Sequence, residues 1–91
     1  MFKPSAKQIA EYYQKSVWIS ETLRSLNQQG RIAQHGEDAE DYDRIIETNH
    51  NNFEALQYAV QSGVLPGRTV FWLIKKTVDM NHKSVSSWTK R

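Results

Sequence analysis

Glu47-Thr48-Asn49-His50 has the spacing with which a helix offers a carboxylate and an imidazole to one metal ion, because residues three apart share a helix face. The chemistry would be that of a di-metal carboxylate centre, which needs a second Glu-x-x-His from another helix. Neither His35 nor His82 has a Glu three residues before it, so the set is incomplete and no metal is expected. Asp43, Glu47 and His50 are of the right types for general acid–base work. No spacing sets them apart from the other polar residues. Cysteine is absent, which removes thiolate ligands, thiol nucleophiles and disulfides. No serine stands in a nucleophile elbow and no glycine-rich loop could cradle a phosphate. The chain therefore reads as non-catalytic, without cofactor or metal.

Binding chemistry is better represented. Lys75-Lys76 and Lys83…Lys90-Arg91 interleave with Trp72 and Trp88, and cations beside aromatic rings suit phosphate contact combined with base stacking. The plainer reading is a solvated helical face with tryptophan in the core. Glu37, Asp38, Glu40, Asp41 and Asp43 form an acidic run that could dock on a basic partner. A solvated first helical turn, favourable against the helix dipole, explains the same run.

The net charge of +2 hides an asymmetry between segments. Residues 1–36 balance to +3, residues 37–63 to −6 and residues 64–91 to +5. Such blocks steer partners more than they set the fold. They could also pair within the chain or across a homodimer.

The 91 residues leave room for one domain, able to bury roughly 60–65% of its extended-chain surface. Met1-Phe2-Lys3-Pro4 opens no apolar signal region, and the longest apolar run, residues 70–74, falls far short of a membrane span. No membrane partner is expected, and the expected location is cytoplasmic.

Two readings compete for Ser5–Ile32. In the first, Ser5 caps a single helix with Gln8 completing a capping box. Ile9, Tyr12, Ser16, Ile19, Leu23 and Leu26 then follow at alternating steps of three and four, an a/d stripe that ends at Gly30. In the second, the helix breaks near Gln14–Ser16, and Ser20–Leu26 becomes a second helix after a turn. The residues Ile9-Ala10-Glu11 and Ser20-x-x-Leu23-Arg24-x-Leu26-x-x-x-Gly30-x-Ile32 resemble the DNA-reading segment of bacterial winged-helix repressors. On that resemblance Ser20–Leu26 would be the recognition helix.

A second helix, about Asp38–Ser62, is predicted from Tyr42, Ile46, Asn49, Phe53, Leu56 and Val60, with Gly63 at its C-cap. Asn49 on that stripe is of the type that fixes register. The polar run Thr48–Asn52 allows a break, since Asn competes for backbone hydrogen bonds. Val64-Leu65-Pro66-Gly67 is a connection. Arg68–Asp79 is predicted as a third helix, so apolar at Val70, Phe71, Leu73, Ile74 and Val78 that it should be central to the core. Lys83–Lys90 is predicted as a short fourth. Across Ile74–Lys90, the residues Val78, Met80, Val85 and Trp88, with Asp79-Met80-Asn81 as a turn, look like the core of phage and bacterial helix-turn-helix regulators. That resemblance implies His82, Lys83, Ser84, Ser86, Ser87 and Lys90 facing DNA, with Lys83, Lys90 and Arg91 on phosphates.

The expectation is an all-α single domain of four or five helices: a long antiparallel αα-hairpin with two short C-terminal helices packed on it. Two functions fit. One is a small DNA-binding or DNA-associated regulator of the phage or mobile-element type, using Lys75, Lys76, His82, Lys83, Ser84, Ser87, Lys90 and Arg91. The other is a protein-interaction module (an inhibitor, adaptor or anti-defence protein) that binds a larger complex through Tyr13, Trp18, Glu37, Asp38, Glu40 and Asp41. A coiled-coil homodimer would be a third arrangement.

Overall fold

Ser5 begins the first helix as its spacing to Gln8 predicts. In the computed structural model, which describes residues 3–30 and 37–90 and no side chain of residues 37–39, both capping-box hydrogen bonds are present. The Gln8 amide donates to Ser5 Oγ at 3.1 Å, and the Ser5 amide donates to Gln8 Oε1 at 3.1 Å. The helix α1 runs unbroken over Ala6–Gln28, followed by α2 over Glu37–Ser62 and α3 over Arg68–Thr89. No strand occurs among the described residues. Gly30 and Gly63 stand just past α1 and α2 with φ of 67° and 75°, the left-handed conformation that glycine adopts without a Cβ penalty.

Cross-helix pairs set the directions. Tyr13 meets Phe53, and Asn49 reaches back to Ser16, so α2 runs antiparallel to α1. Tyr12 meets Phe71 while Trp18 meets His82, so α3 runs parallel to α1. The result is an up-down-up three-helix bundle. Its core takes from α1 the stripe read from sequence, Ile9, Tyr12, Ser16, Ile19, Leu23 and Leu26. From α2 come Ile45, Asn49, Leu56 and Ala59, and from α3 Phe71, Ile74, Val78, Asn81, Val85 and Trp88.

Among the described residues the bundle has three helices, not four or five, because polar residues that look like breakers are used between helices. Asp79-Met80-Asn81 makes no turn. The Asp79 carboxylate accepts hydrogen bonds from Tyr12 and Lys15 on α1, and Asn81 Nδ2 donates to Thr48 Oγ1 on α2 at 2.9 Å. With those side chains engaged elsewhere, and no Gly or Pro between residues 68 and 89, the helix has no reason to stop. The separate Lys83–Lys90 helix is simply the end of α3. Thr48–Asn52 does not break α2 either, with Thr48 bonded back within the helix while accepting from Asn81, and Asn49 bonded across to α1. Thr48 Oγ1 donates to the Arg44 carbonyl at 2.9 Å, and Asn49 Nδ2 donates to the Ser16 carbonyl at 3.1 Å. Ser16 stays helical by donating to the Tyr13 carbonyl at 2.7 Å.

Two further expectations shift. Ile45 and Ala59 are buried where Ile46 and Val60 were expected, and those two are exposed. Both stripes share Tyr42, Asn49 and Leu56, and adjacent apolar residues do not say which turns inward. The third helix is not apolar because it is central. Phe71, Ile74 and Val78 are buried, whereas Val70, Leu73 and Trp72 are exposed. A three-helix bundle buries one stripe of each helix, so apolar residues off that stripe are left without a partner.

Ser16, Asn49 and Asn81, one from each helix, are the buried polar residues among those described. Replacing Asn49 by Ala removes the α2-to-α1 hydrogen bond and leaves a void. The expected loss is about 1–3 kcal/mol of unfolding free energy, read from urea titration followed by circular dichroism.

Candidate functional site

The residues expected to read DNA do not form one surface. Helical rotation places Lys75 and His82 on the flank of α3 toward α1, and Lys76, Lys83, Ser87 and Lys90 on its outer side. Ser84 lies toward the opposite flank. His82 packs its ring on Trp18 at 4.8 Å between centroids, and Lys75 is tied to Asp79. Neither expected helix-turn-helix turn forms, because residues 14–16 and 79–81 lie inside the continuous helices α1 and α3. Arg91 lies outside the described residues.

The residues expected to anchor a protein partner are also mostly engaged. Tyr13 is half-buried against Phe53 at 5.4 Å, which closes the α1–α2 seam. Trp18 spends its ring on His82 and closes the α1–α3 seam. Asp41 is paired with Arg44 at 3.1 Å, and Glu40 is exposed. The side chains of Glu37 and Asp38 lie outside what is described. His50 of the Glu-x-x-His spacing places Nε2 2.9 Å from Glu54. No three His, Asp or Glu side chains gather as a metal site among the described residues.

What sequence reading missed is a groove between α2 and α3, on the side of the bundle away from α1. It encloses about 540 Å³, with Asn51, Ala55 and Tyr58 on the α2 wall, Ile74 and Val70 on the α3 wall, and Val64, Leu65 and Pro66 closing one end. Tyr58 is 63% exposed, Val64 59% and Val70 53%. Leu73, beside Val70 on the same flank of α3, is 55% exposed. A contiguous exposed apolar surface of this kind stands out from the singly scattered apolar residues of an ordinary surface.

The charge around the groove is one-sided. Glu54 lines the groove, and Glu47, Asp43 and Glu40, exposed and spaced back from it by seven, four and three, continue the same edge of α2 away from the groove, past the Thr48–Asn81 tie. The facing flank of α3 (Val70, Leu73, Thr77, Met80 and Ser84) carries no charge. The signal was present in sequence as apolar residues in excess of one helical stripe on Arg68–Asp79. Without knowing how many helices pack, that excess reads as burial.

On the opposite side, α1 and α3 are joined by a polar cluster. Tyr12 OH donates to Asp79 Oδ2 at 3.1 Å, and Lys15 and Lys75 place Nζ 3.2 Å and 3.4 Å from the two carboxylate oxygens. Partial burial opposes ionisation of Asp79. The hydrogen bonds from Lys15 and Tyr12 and the charges of Lys15 and Lys75 outweigh it and hold the carboxyl below its usual value of 3.8. The Tyr12 side chain first, and then Asp79, hold the Lys75 ammonium above its usual 10.5. Such a carboxylate is a tie between helices rather than a base ready to take a proton near neutrality. Compared with protein-family models, curated proteins and solved structures, the chain has no match.

A carboxyl with a depressed native pKa stabilises the fold above its unfolded value and loses that contribution as pH falls through the native one. The raised Lys75 contributes fully below 10.5 and loses its part as pH rises beyond it. Asp79→Asn is therefore expected to lower the urea midpoint across the neutral range. The gap to the unsubstituted chain should close as pH drops below 3.8.

Proposed function

We propose that the chain is a small, non-catalytic protein-interaction module whose groove between α2 and α3 receives an amphipathic helix of a larger protein. The observation that carries this reading is the unpartnered apolar groove with acid on one edge and no charge on the other. An amphipathic helix laid in a groove presents anchors at i, i+3, i+4 and i+7. The partner helix chosen by this surface carries apolar residues at those positions, with Lys or Arg along one flank only. Its basic flank faces Glu54 at the groove, with Glu47 next along the same edge of α2. Its apolar stripe sits against Tyr58, Val70 and Leu73, which are already exposed and need no rearrangement. Opposite charge steers the encounter and fixes orientation, while the apolar anchors supply most of the affinity. A module of this kind works by occupying or bridging a site on the larger complex.

This reading sets aside duplex reading by a recognition helix, since residues 14–16 and 79–81, where each such segment needs its turn, are helical. The test is to pan a library of displayed helical peptides against the protein and measure the affinities of the enriched peptides. Enriched sequences should show the apolar i, i+3, i+4, i+7 pattern with one basic flank. Tyr58→Asp and Leu73→Asp should each weaken them by about tenfold or more. Binders that ignore both substitutions would contradict the proposal. So would a chain that dimerises through this groove and becomes monomeric as Tyr58→Asp.

A further inference from the structure

Trp72 is 56% exposed, on the side of α3 away from the apolar groove. It stands between two shallow surface clefts. One is lined by Lys3, Pro4 and Gln8 from the start of the chain and by Arg68, Phe71, Trp72 and Lys75 from α3. The other is lined by Trp72, Lys75, Lys76, Asp79 and Met80. Because α1 and α3 run parallel, Lys3 ahead of α1 meets the basic residues at the start of α3 here, a juxtaposition that neither segment shows alone. Lys76 Nζ sits 5.4 Å from the centre of the Trp72 ring.

The cations at this place divide into two kinds. Lys15 and Lys75 are committed to Asp79. Lys3, Arg68 and Lys76 have no carboxylate within ion-pair distance among the described residues. Asp79 is the sole carboxylate lining either cleft, and its charge is already matched by two lysines. A flat aromatic face flanked by cations without counter-charges is the recognition chemistry of an unpaired base with its neighbouring phosphates. A duplex hides its base faces, and among the described residues no helix projects from the bundle to enter a groove. We infer that the Trp72 face, with Lys3, Arg68 and Lys76, is a binding site for single-stranded nucleic acid. One base stacks on Trp72, and the adjacent phosphates pair with Arg68 and Lys76 on α3 and with Lys3 across the cleft. This site is separate from the apolar groove, and neither depends on the other.

The probe is a fluorescein-labelled oligothymidylate, followed by anisotropy across a salt series, with a duplex of the same length alongside. Intrinsic tryptophan emission reports the stack directly. Binding is expected to weaken steeply with salt, to quench tryptophan emission and to exceed that of the duplex. Trp72→Ala should weaken it about fivefold or more, the lower end of what losing one base–aromatic stack removes. Arg68→Glu with Lys76→Glu should lower both the affinity and the salt slope. Arg24→Glu, a charge reversal near the other end of α1, controls for the net-charge change of each single substitution in that pair and should leave affinity within about twofold. These side chains are exposed, and circular dichroism checks that each variant is folded. Three outcomes would overturn the inference: no binding at low salt, equal affinity for the duplex, or Arg24→Glu costing as much as the Arg68/Lys76 pair.

Discussion

A buried amide cannot be left to find its own partner, and in this bundle Asn49 and Asn81 decide how three helices meet. Asn49 is 2% exposed and Asn81 2% exposed at the middle of α2 and toward the middle of α3. Asn49 donates to the Ser16 carbonyl and lies 3.4 Å from Ser20 Oγ, which sets the height of α2 against α1. Asn81 donates to Thr48 Oγ1, one residue before Asn49, which sets the height of α3 against α2. A slip of one turn would bury these amides against aliphatic side chains at a cost comparable to a large share of a small domain's stability. The apolar stripes alone would tolerate such a slip, because Ile and Leu repeat along them. Burial drives the collapse, and the polar layer selects the register.

The same layer explains where the free surface lies. With α2 held to α1 by Asn49 and Tyr13–Phe53, and α3 held to α1 by the Tyr12–Asp79 cluster and Trp18–His82, two seams of the bundle close. The third, between α2 and α3, is tied at Thr48–Asn81 but opens toward the connection at Val64–Gly67. Apolar residues there have no fourth helix to cover them. The asymmetry of charge along the chain becomes an asymmetry of faces: acid on the outer edge of α2, uncommitted base on the Trp72 side of α3. Two different surfaces therefore coexist on one small bundle.

Much of the bundle was legible in the residues. The α1 stripe, its Ser5 cap, the glycines after α1 and α2, the Pro66-Gly67 connection and the burial of Asn49 all follow from local rules. The helix count did not, and the reason is specific. Asp79 and Asn81 have side chains that favour turns when they bond their own backbone, and only the tertiary partner reveals that they bond elsewhere. The same blind spot made two stretches resemble helix-turn-helix segments. The groove was hidden for a related reason. Val70 and Leu73 look like core residues until the number of packed helices is known, and Ile45 and Ile46 are interchangeable to any pattern of threes and fours.

The measurement that bears most directly on this account is nuclear Overhauser spectroscopy of the side-chain amides in the isotope-labelled chain. The Asn81 amide protons should show contacts to Thr48, and those of Asn49 contacts to Ser16 and Ser20. Sequential helical contacts should run without interruption from Asp79 to Lys83. Asn81 amides that exchange freely with water, together with a break in the helical contacts at Asp79–Asn81, would contradict the three-helix bundle and the two surfaces derived from it.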